Sequence, residues 1–269
     1  MSAALPSPHI HVPFPRIAEF SQLIRERKLD LEIYFSADCL DSLSAWDISD
    51  VREILSYRPA LSFHGPFMDL SPAAMDLQVR QVTIDRFTQT FALAEILRPR
   101  CIVFHSGYEK WKYSLRIDTW LERSIDFWEP FIARAAKLGT KIAIENIFED
   151  EPTNLRMLME KIGGEHFGIC FDTGHFNLFT RVPLQTWIDE LGEYFVELHV
   201  HDNDTTADQH LPIGDGVFDF RSFFAAINGR DLVHTIETHT PDRVIRSMEQ
   251  FARFMQGASR DSAMQNLAG

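Results

Sequence analysis

Three cysteines in 269 residues, Cys39, Cys101 and Cys170, are too few and too far apart for a disulfide framework or a Cys-x-x-Cys site. A reduced, cytoplasmic setting is expected. Positive charge is scarce as well: 26 Lys and Arg against 39 Asp and Glu leave a formal net charge of −13. That balance argues against a general attraction to nucleic acid or an anionic membrane, but does not disfavour a cationic metal. The opening MSAALPSPHIHVPFP lacks a basic segment followed by an apolar core, and no stretch approaches the ~18 apolar residues of a membrane span. The chain is therefore expected to be neither exported nor membrane-embedded. No internal linker breaks it. Residues 257–269 are polar and rich in small side chains, and read as a loose tail on a single unit covering residues 1–256.

What is present is a regular alternation. With 45% hydrophobic residues the chain can bury a large core, and short apolar runs alternate with longer amphipathic ones from end to end. The short runs predict strands at His9–Pro13, Leu31–Phe35, Leu61–His64, Cys101–His105, Ile142–Glu145, Gly168–Asp172, Val196–His201 and Thr235–Glu237. Between them, spacings of three and four predict helices over Ile17–Arg27, Asp47–Leu55, Ala73–Ile96, Ser114–Leu138, Leu155–Ile162, Pro183–Glu193, Phe220–Ile227 and Arg243–Met255. Eight such units without a composition break favour a closed α/β barrel, the (β/α)8 TIM barrel, over an open doubly wound sheet.

The predicted strands share a property at their last residues. Strands three to eight end at His64, His105, Glu145, Asp172, His199 with His201, and Glu237. In a parallel barrel all these ends lie at one mouth, so residues distant in sequence converge there. A single His or Glu in such a place is more often a hydrogen-bonded core or edge residue. Six in succession would crowd carboxylates together, at a cost that a shared cation would offset. Period two places Ser62, Ala143 and Thr235 on the same face as His64, Glu145 and Glu237, and turns Phe63, Ile144 and Ile236 towards the helices. The densest stretch is Phe195–Asp219, where Glu197, His199 and His201 share a face and are followed by Asp202, Asp204, Asp208 and His210.

Glu145, Asp172, His199 and Glu237 offer three carboxylates and an imidazole, a donor set suited to Mn, Co or Mg, with Zn also compatible. A divalent metal so held would polarise a hydroxycarbonyl sugar, with Glu145 and Glu237 exchanging a proton at the neighbouring carbon. His175 would bond a substrate hydroxyl or ligate a further metal. Adding His64, His105, His175, Asp208 and His210 extends the set to nine donors, enough for two or three metals and for phosphate-ester hydrolysis. Smaller features have plainer readings: Gly214-Asp-Gly216 is a turn before it is a phosphate cradle, and His9 and His11 are structural. Phe67, Tyr108, Trp111 and Phe148 are candidate pocket walls, and Glu32 a weaker candidate for bonding substrate.

Read in order, HGPF at His64, ENIF at Glu145, FDTGH at Asp172, the His-x-His-Asp run at His199, DQH at Asp208 and IET at Glu237 resemble the superfamily of xylose-isomerase-like TIM barrels. That superfamily holds sugar isomerases and epimerases as well as the endonuclease IV class of abasic-site nucleases. The epimerase resemblance implies Glu145, Asp172, His199 and Glu237 as ligands of one metal, with the two glutamates as acid and base and His175 at the substrate. The nuclease resemblance implies all nine donors as ligands of a trinuclear zinc centre. His201 and the ENIFEDEP run look more like the isomerase-like members, and no basic, aromatic-bearing loop suited to a bent duplex is present. The leading expectation is therefore a metal-dependent isomerase or epimerase of a small sugar or sugar phosphate, with His64 and His201 also at the substrate. Nucleic acid and membrane partners are not expected, and the sequence carries no signal for oligomeric state. The alternative is a multi-metal phosphoesterase acting on abasic-site DNA.

Overall fold

A computed structural model describes residues 6–268, without the side chains of 45, 46 and 259–268. Its elements run β1 His9–Pro13, α1 Ile17–Arg27, β2 Asp30–Tyr34, α2 Ala37–Ser42, α3 Ala45–Ile54, β3 Leu61–His64, α4 Leu77–Leu97, β4 Cys101–His105, α5 Ile117–Leu138 and β5 Lys141–Glu145. They continue with α6 Thr153–Ile162, β6 Phe167–Asp172, α7 Thr173–Phe179, α8 Leu184–Leu191, β7 Phe195–Val200, α9 Phe220–Ala226, β8 Val233–Ile236 and α10 Pro241–Ala268. All the strands pair in parallel in chain order, and β1 pairs with both β2 and β8, which closes the barrel. This is the single (β/α)8 TIM barrel expected from the alternation.

Period two divides each strand between two environments. Ile10, Ile33, Phe63, Phe104, Ile144, Phe171, Leu198 and Ile236 are buried in the main core between sheet and helices. Inside the barrel the residues are smaller or polar: Cys101, Val103, Ala143 and Cys170 pack together, while His9, Glu32, Ser62, Glu197 and Thr235 are buried as well. Each large apolar side chain in the outer layer contributes roughly 1.5–3 kcal/mol on burial. That layer therefore carries the stability, and leaves the interior free to hold charged groups.

Helix boundaries depart from the apolar periodicity where capping groups or backbone conformation decide. Helix α4 starts at Leu77 rather than Ala73 because Asp76 accepts from the amides of Gln78 and Val79. Helix α5 starts at Ile117 rather than Ser114, since Ser114 and Leu115 adopt positive φ of 53° and 62°. Helices α2 and α7 are too short for periodicity to expose. Helix α10 continues to Ala268, through the segment expected to be loose, with Ala258 buried against the core. Ala, Gln, Met and Arg are good helix formers, and a single Gly257 does not interrupt them. No helix of the described residues is long and apolar enough to cross a membrane.

Candidate metal and active site

Glu145, at the end of β5, is the hub of the barrel mouth. Its Oε2 lies 3.1 Å from His64 Nε2 and 3.2 Å from His105 Nε2, its Oε1 3.2 Å from His175 Nδ1 and 3.1 Å from His199 Nδ1. His199 Nδ1 is also 3.4 Å from Glu237 Oε2 and 3.6 Å from Asp172 Oδ2. Donor atoms of Glu145, Asp172, His199 and Glu237 fall within 4.8 Å of one another, and so do those of His64, His105 and Glu145. His201, Asp208 and His210 form another such group, which His175 approaches, its Nε2 3.5 Å from Asp208 Oδ2. Residues from six strand ends and the loop after β7 thus make one continuous donor patch. A cavity of about 590 Å³ opens over it, lined by His64, His105, Glu145, His175, His210 and Glu237 among others.

The electrostatics test whether a cation suits this patch. Burial alone would raise Glu145, yet the charge of His199 and the hydrogen bonds of His105, His175 and His199 hold it well below the usual carboxylate range. Asp172 and Glu237 are depressed in the same way, by surrounding imidazoles that outweigh burial. Burial opposes charge on the histidines too, but the carboxylates raise His199 and His175 well above the ordinary value and His210 to about 9. Ionised carboxylates this deep require positive charge, and without a metal only protons on imidazole supply it. The donor set therefore fits a divalent cation, which would take over the role of those protons.

The family described as xylose isomerase-like TIM barrel matches residues 31–260. The chain belongs to this family. The uncharacterized protein MJ1311 of Methanocaldococcus jannaschii is 26% identical over 209 residues, covering 74% of this chain and 71% of the relative. Among solved structures, a D-tagatose 3-epimerase-like protein superposes with a TM-score of 0.81 at 24% identity, over 94% of this chain and 99% of its own. The TTHB071 protein from Thermus thermophilus, soaked with ZnCl2, gives 0.76 at 24% identity, over 92% and 98%. At these identities the structural likeness speaks to the fold.

Side chains that the strand-end pattern does not single out hold this family member's donors in place. Asn146 ties β5 to β6: its Nδ2 donates to the Asp172 carbonyl at 3.1 Å and its Oδ1 accepts from the Asp172 amide at 2.8 Å. Gly174 leaves room for the His201 ring, since a Cβ there would sit 2.0 Å from His201 Cε1. His201 itself, expected at the substrate, is fully buried behind the site with Nε2 3.0 Å from Asp172 Oδ2. Among the described residues its Nδ1 has no hydrogen-bond partner, and it lies 3.8 Å from Asp208 Oδ1. Asp202 accepts from the amides of Asn203, Gly214, Gly216 and Phe218, which commits the Gly-x-Gly amides to loop architecture rather than to a phosphate. At the surface, the Asp204 carboxylate likewise accepts from the Thr206 amide and hydroxyl, while its own amide donates to Gln209 Oε1. Phe67, Tyr108 and Phe148 line the cavity; Trp111 does not.

Glu32 is fully buried and does not reach the cavity, so it is no substrate ligand. Its Oε2 lies 3.0 Å from His199 Nε2 and its Oε1 2.7 Å from His11 Nδ1. A carboxylate on Nε2 presents Nδ1 of His199 to the mouth, the usual way a ligating imidazole is oriented. Glu32→Gln is expected to weaken metal binding by about 10- to 100-fold without loss of fold. Competition against a chromogenic chelator measures this, and an unchanged affinity would remove Glu32 from that role.

Proposed function

We propose that this protein is a metal-dependent isomerase or epimerase of a small hydroxycarbonyl sugar or sugar phosphate. The reading is carried by Glu145 and Glu237, two buried carboxylates from non-adjacent strands that both lie against His199 Nδ1 and both line the cavity. Glu145, Asp172, His199 and Glu237 would hold one divalent cation, with Mn, Co, Mg and Zn all compatible with three oxygens and one nitrogen. When bound, the cation supplies polarisation of the substrate carbonyl. One glutamate then takes the proton from the adjacent carbon and the other returns it, the assignment of base and acid depending on which face is attacked. His175, half-buried on the cavity wall, bonds a substrate hydroxyl. Phe67, Tyr108, Phe148 and Phe179 give the cavity apolar sides that exclude water from the exchange. The size of the cavity and the net charge of −13 favour a small molecule over a nucleic acid.

One observation favours a second reading, a multi-metal phosphoesterase of the endonuclease IV type acting on abasic-site DNA. Glu145 belongs to two donor groups at once, one through His64 and His105 and the other through Asp172, His199 and Glu237, as a carboxylate bridging two metals would. Metal content of untagged, unchelated protein separates the readings, as does His64→Ala. About one metal per chain, solvent deuterium entering a ketose, and at most a roughly tenfold loss in His64→Ala fit the isomerase. Two to three metals, cleavage of abasic-site DNA and collapse of activity in His64→Ala would sink it.

A further inference from the structure

The loop between β4 and α5 carries a cation that nothing in the donor patch uses. Among the described residues Lys112 is the one Lys or Arg lining the cavity, in company with Asp69, Glu109, Glu145, Asp208 and Glu237. Neighbouring cations have acidic partners: Lys110 pairs with Asp150, and Arg116 lies 3.4 Å from Asp118. Among the described residues no carboxylate pairs with Lys112; its Nζ donates to Ser71 Oγ at 2.8 Å. Ser71 Oγ lies in turn 3.4 Å from Tyr113 OH, and both of these residues are buried. Burial lowers the Lys112 amine below its ordinary value, with only Glu109 pulling the other way.

The loop is built to hold this position. Gly107 has φ +65°, and a Cβ there would meet Pro72 Cδ at 2.8 Å, so glycine lets the loop close onto the segment that carries Ser71. The turn is fastened by the amides of Ser114 and Leu115, which donate to the carbonyls of Trp111 and Lys110 at 3.1 and 2.8 Å. A lysine whose Nζ donates to a buried hydroxyl at the cavity wall has no paired carboxylate among the described residues, and a phosphate or carboxylate supplies that counter-charge with charge-assisted hydrogen bonds.

We propose that Lys112, with Ser71 and Tyr113 behind it, binds an anionic group of the substrate, a phosphate or a carboxylate, in the cavity that also contains Glu145 and Glu237. Joined to the isomerase reading, on which the sugar part rests, this makes the substrate a hydroxycarbonyl sugar with an anionic end. The test uses the intact, metal-loaded chain. Acetylation of individual lysines by a mild amine reagent is followed by mass spectrometry with inorganic phosphate, with gluconate, and with neither. One of the anions should slow labelling of Lys112 at least about fivefold once it exceeds its Kd several times, leaving Lys110 and Lys161 unaffected. Protection by phosphate alone assigns a sugar phosphate, by gluconate alone a sugar acid. Lys112→Met, which keeps the aliphatic stem, should raise the calorimetric Kd of the protecting anion about tenfold, and Lys112→Arg should preserve it. Absence of protection by either anion, or an unchanged Kd in Lys112→Met, overturns the proposal. Protection without turnover of any ketose would defeat the isomerase reading and leave the subsite standing; turnover of neutral ketoses without protection would do the reverse.

Discussion

Glu145→Gln is expected to lower kcat/KM by at least ~10³-fold and to remove metal from the site, the largest effect of any single substitution here. Each carboxylate oxygen meets two imidazoles, Oε2 those of His64 and His105 and Oε1 those of His175 and His199. A glutamine of the same shape keeps one acceptor and turns the other into an amide NH2 donor, which faces imidazole nitrogens instead of drawing protons or metal towards them. It also removes the negative charge that helps to raise His64, His175 and His199. Because the residue belongs to two donor groups, both weaken together. The outer apolar layer is untouched, so the far-ultraviolet circular dichroism of the variant should match that of the parent. Metal analysis by plasma mass spectrometry and a ketose turnover assay check the outcome. Parental metal content with activity within about tenfold of the parent would show that Glu145 is merely a neighbour of the working site, at the level of an outer-sphere partner such as Glu32.

The contrast between Glu145 and Glu32 also marks what was legible in the chain. Glu145 stands out because it ends an apolar run, and the barrel gathers such endings at one mouth. His64, His105, Asp172, His199 and Glu237 were readable for the same reason. Glu32 sits in the middle of β2, and its part is set by His199, 167 residues away across the closed barrel. Closure of the barrel decides that contact, since β2 and β7 do not pair, and no local spacing encodes it. Asn146 is similar: the ENIF motif displays it, but only the register of β5 on β6 brings it against Asp172. Proximity in sequence misled in the opposite direction at Asp202 and Asp204, whose oxygens fold back on the amides and hydroxyls of their own loop. His201 shares the ligand face of β7, yet lies one step past the strand end, where the Gly174 gap draws its ring behind Asp172. Lys112 lies in an irregular loop, whose path depends on positive-φ residues that carry no hydrophobic period.

Loading chelator-treated protein with a divalent metal is expected to release protons, most near pH 6.5 and fewer towards pH 9, and to raise Tm by an amount that grows over the same range. In the metal-free chain His210 is raised from 6.5 to about 9, and His175 and His199 are raised in the same direction. A group whose folded-state value is raised contributes stability that is complete below its unfolded value and fades as pH climbs through the folded one. The chelated protein should therefore lose stability across this window. The depressed carboxylates Asp172, Asp208 and Glu237 work with the opposite sign, and their contribution disappears only in acid. Metal competes with the imidazole protons, so its affinity strengthens over the window in which the apo chain weakens. At 100 to 1,000 times Kd the gain is about 2.7–4.1 kcal/mol, which corresponds to a rise of roughly 5–15 °C for a chain of this length. Calorimetric titration in buffers of different ionisation enthalpy counts the protons, and thermal melts at pH 6.5 and 9 with and without chelator give the stability arm. A Tm indifferent to chelator at both pH values, with no protons released, would mean that the buried carboxylates are neutralised by their own histidines alone. The barrel mouth would then be a self-compensated ionic network rather than a metal site.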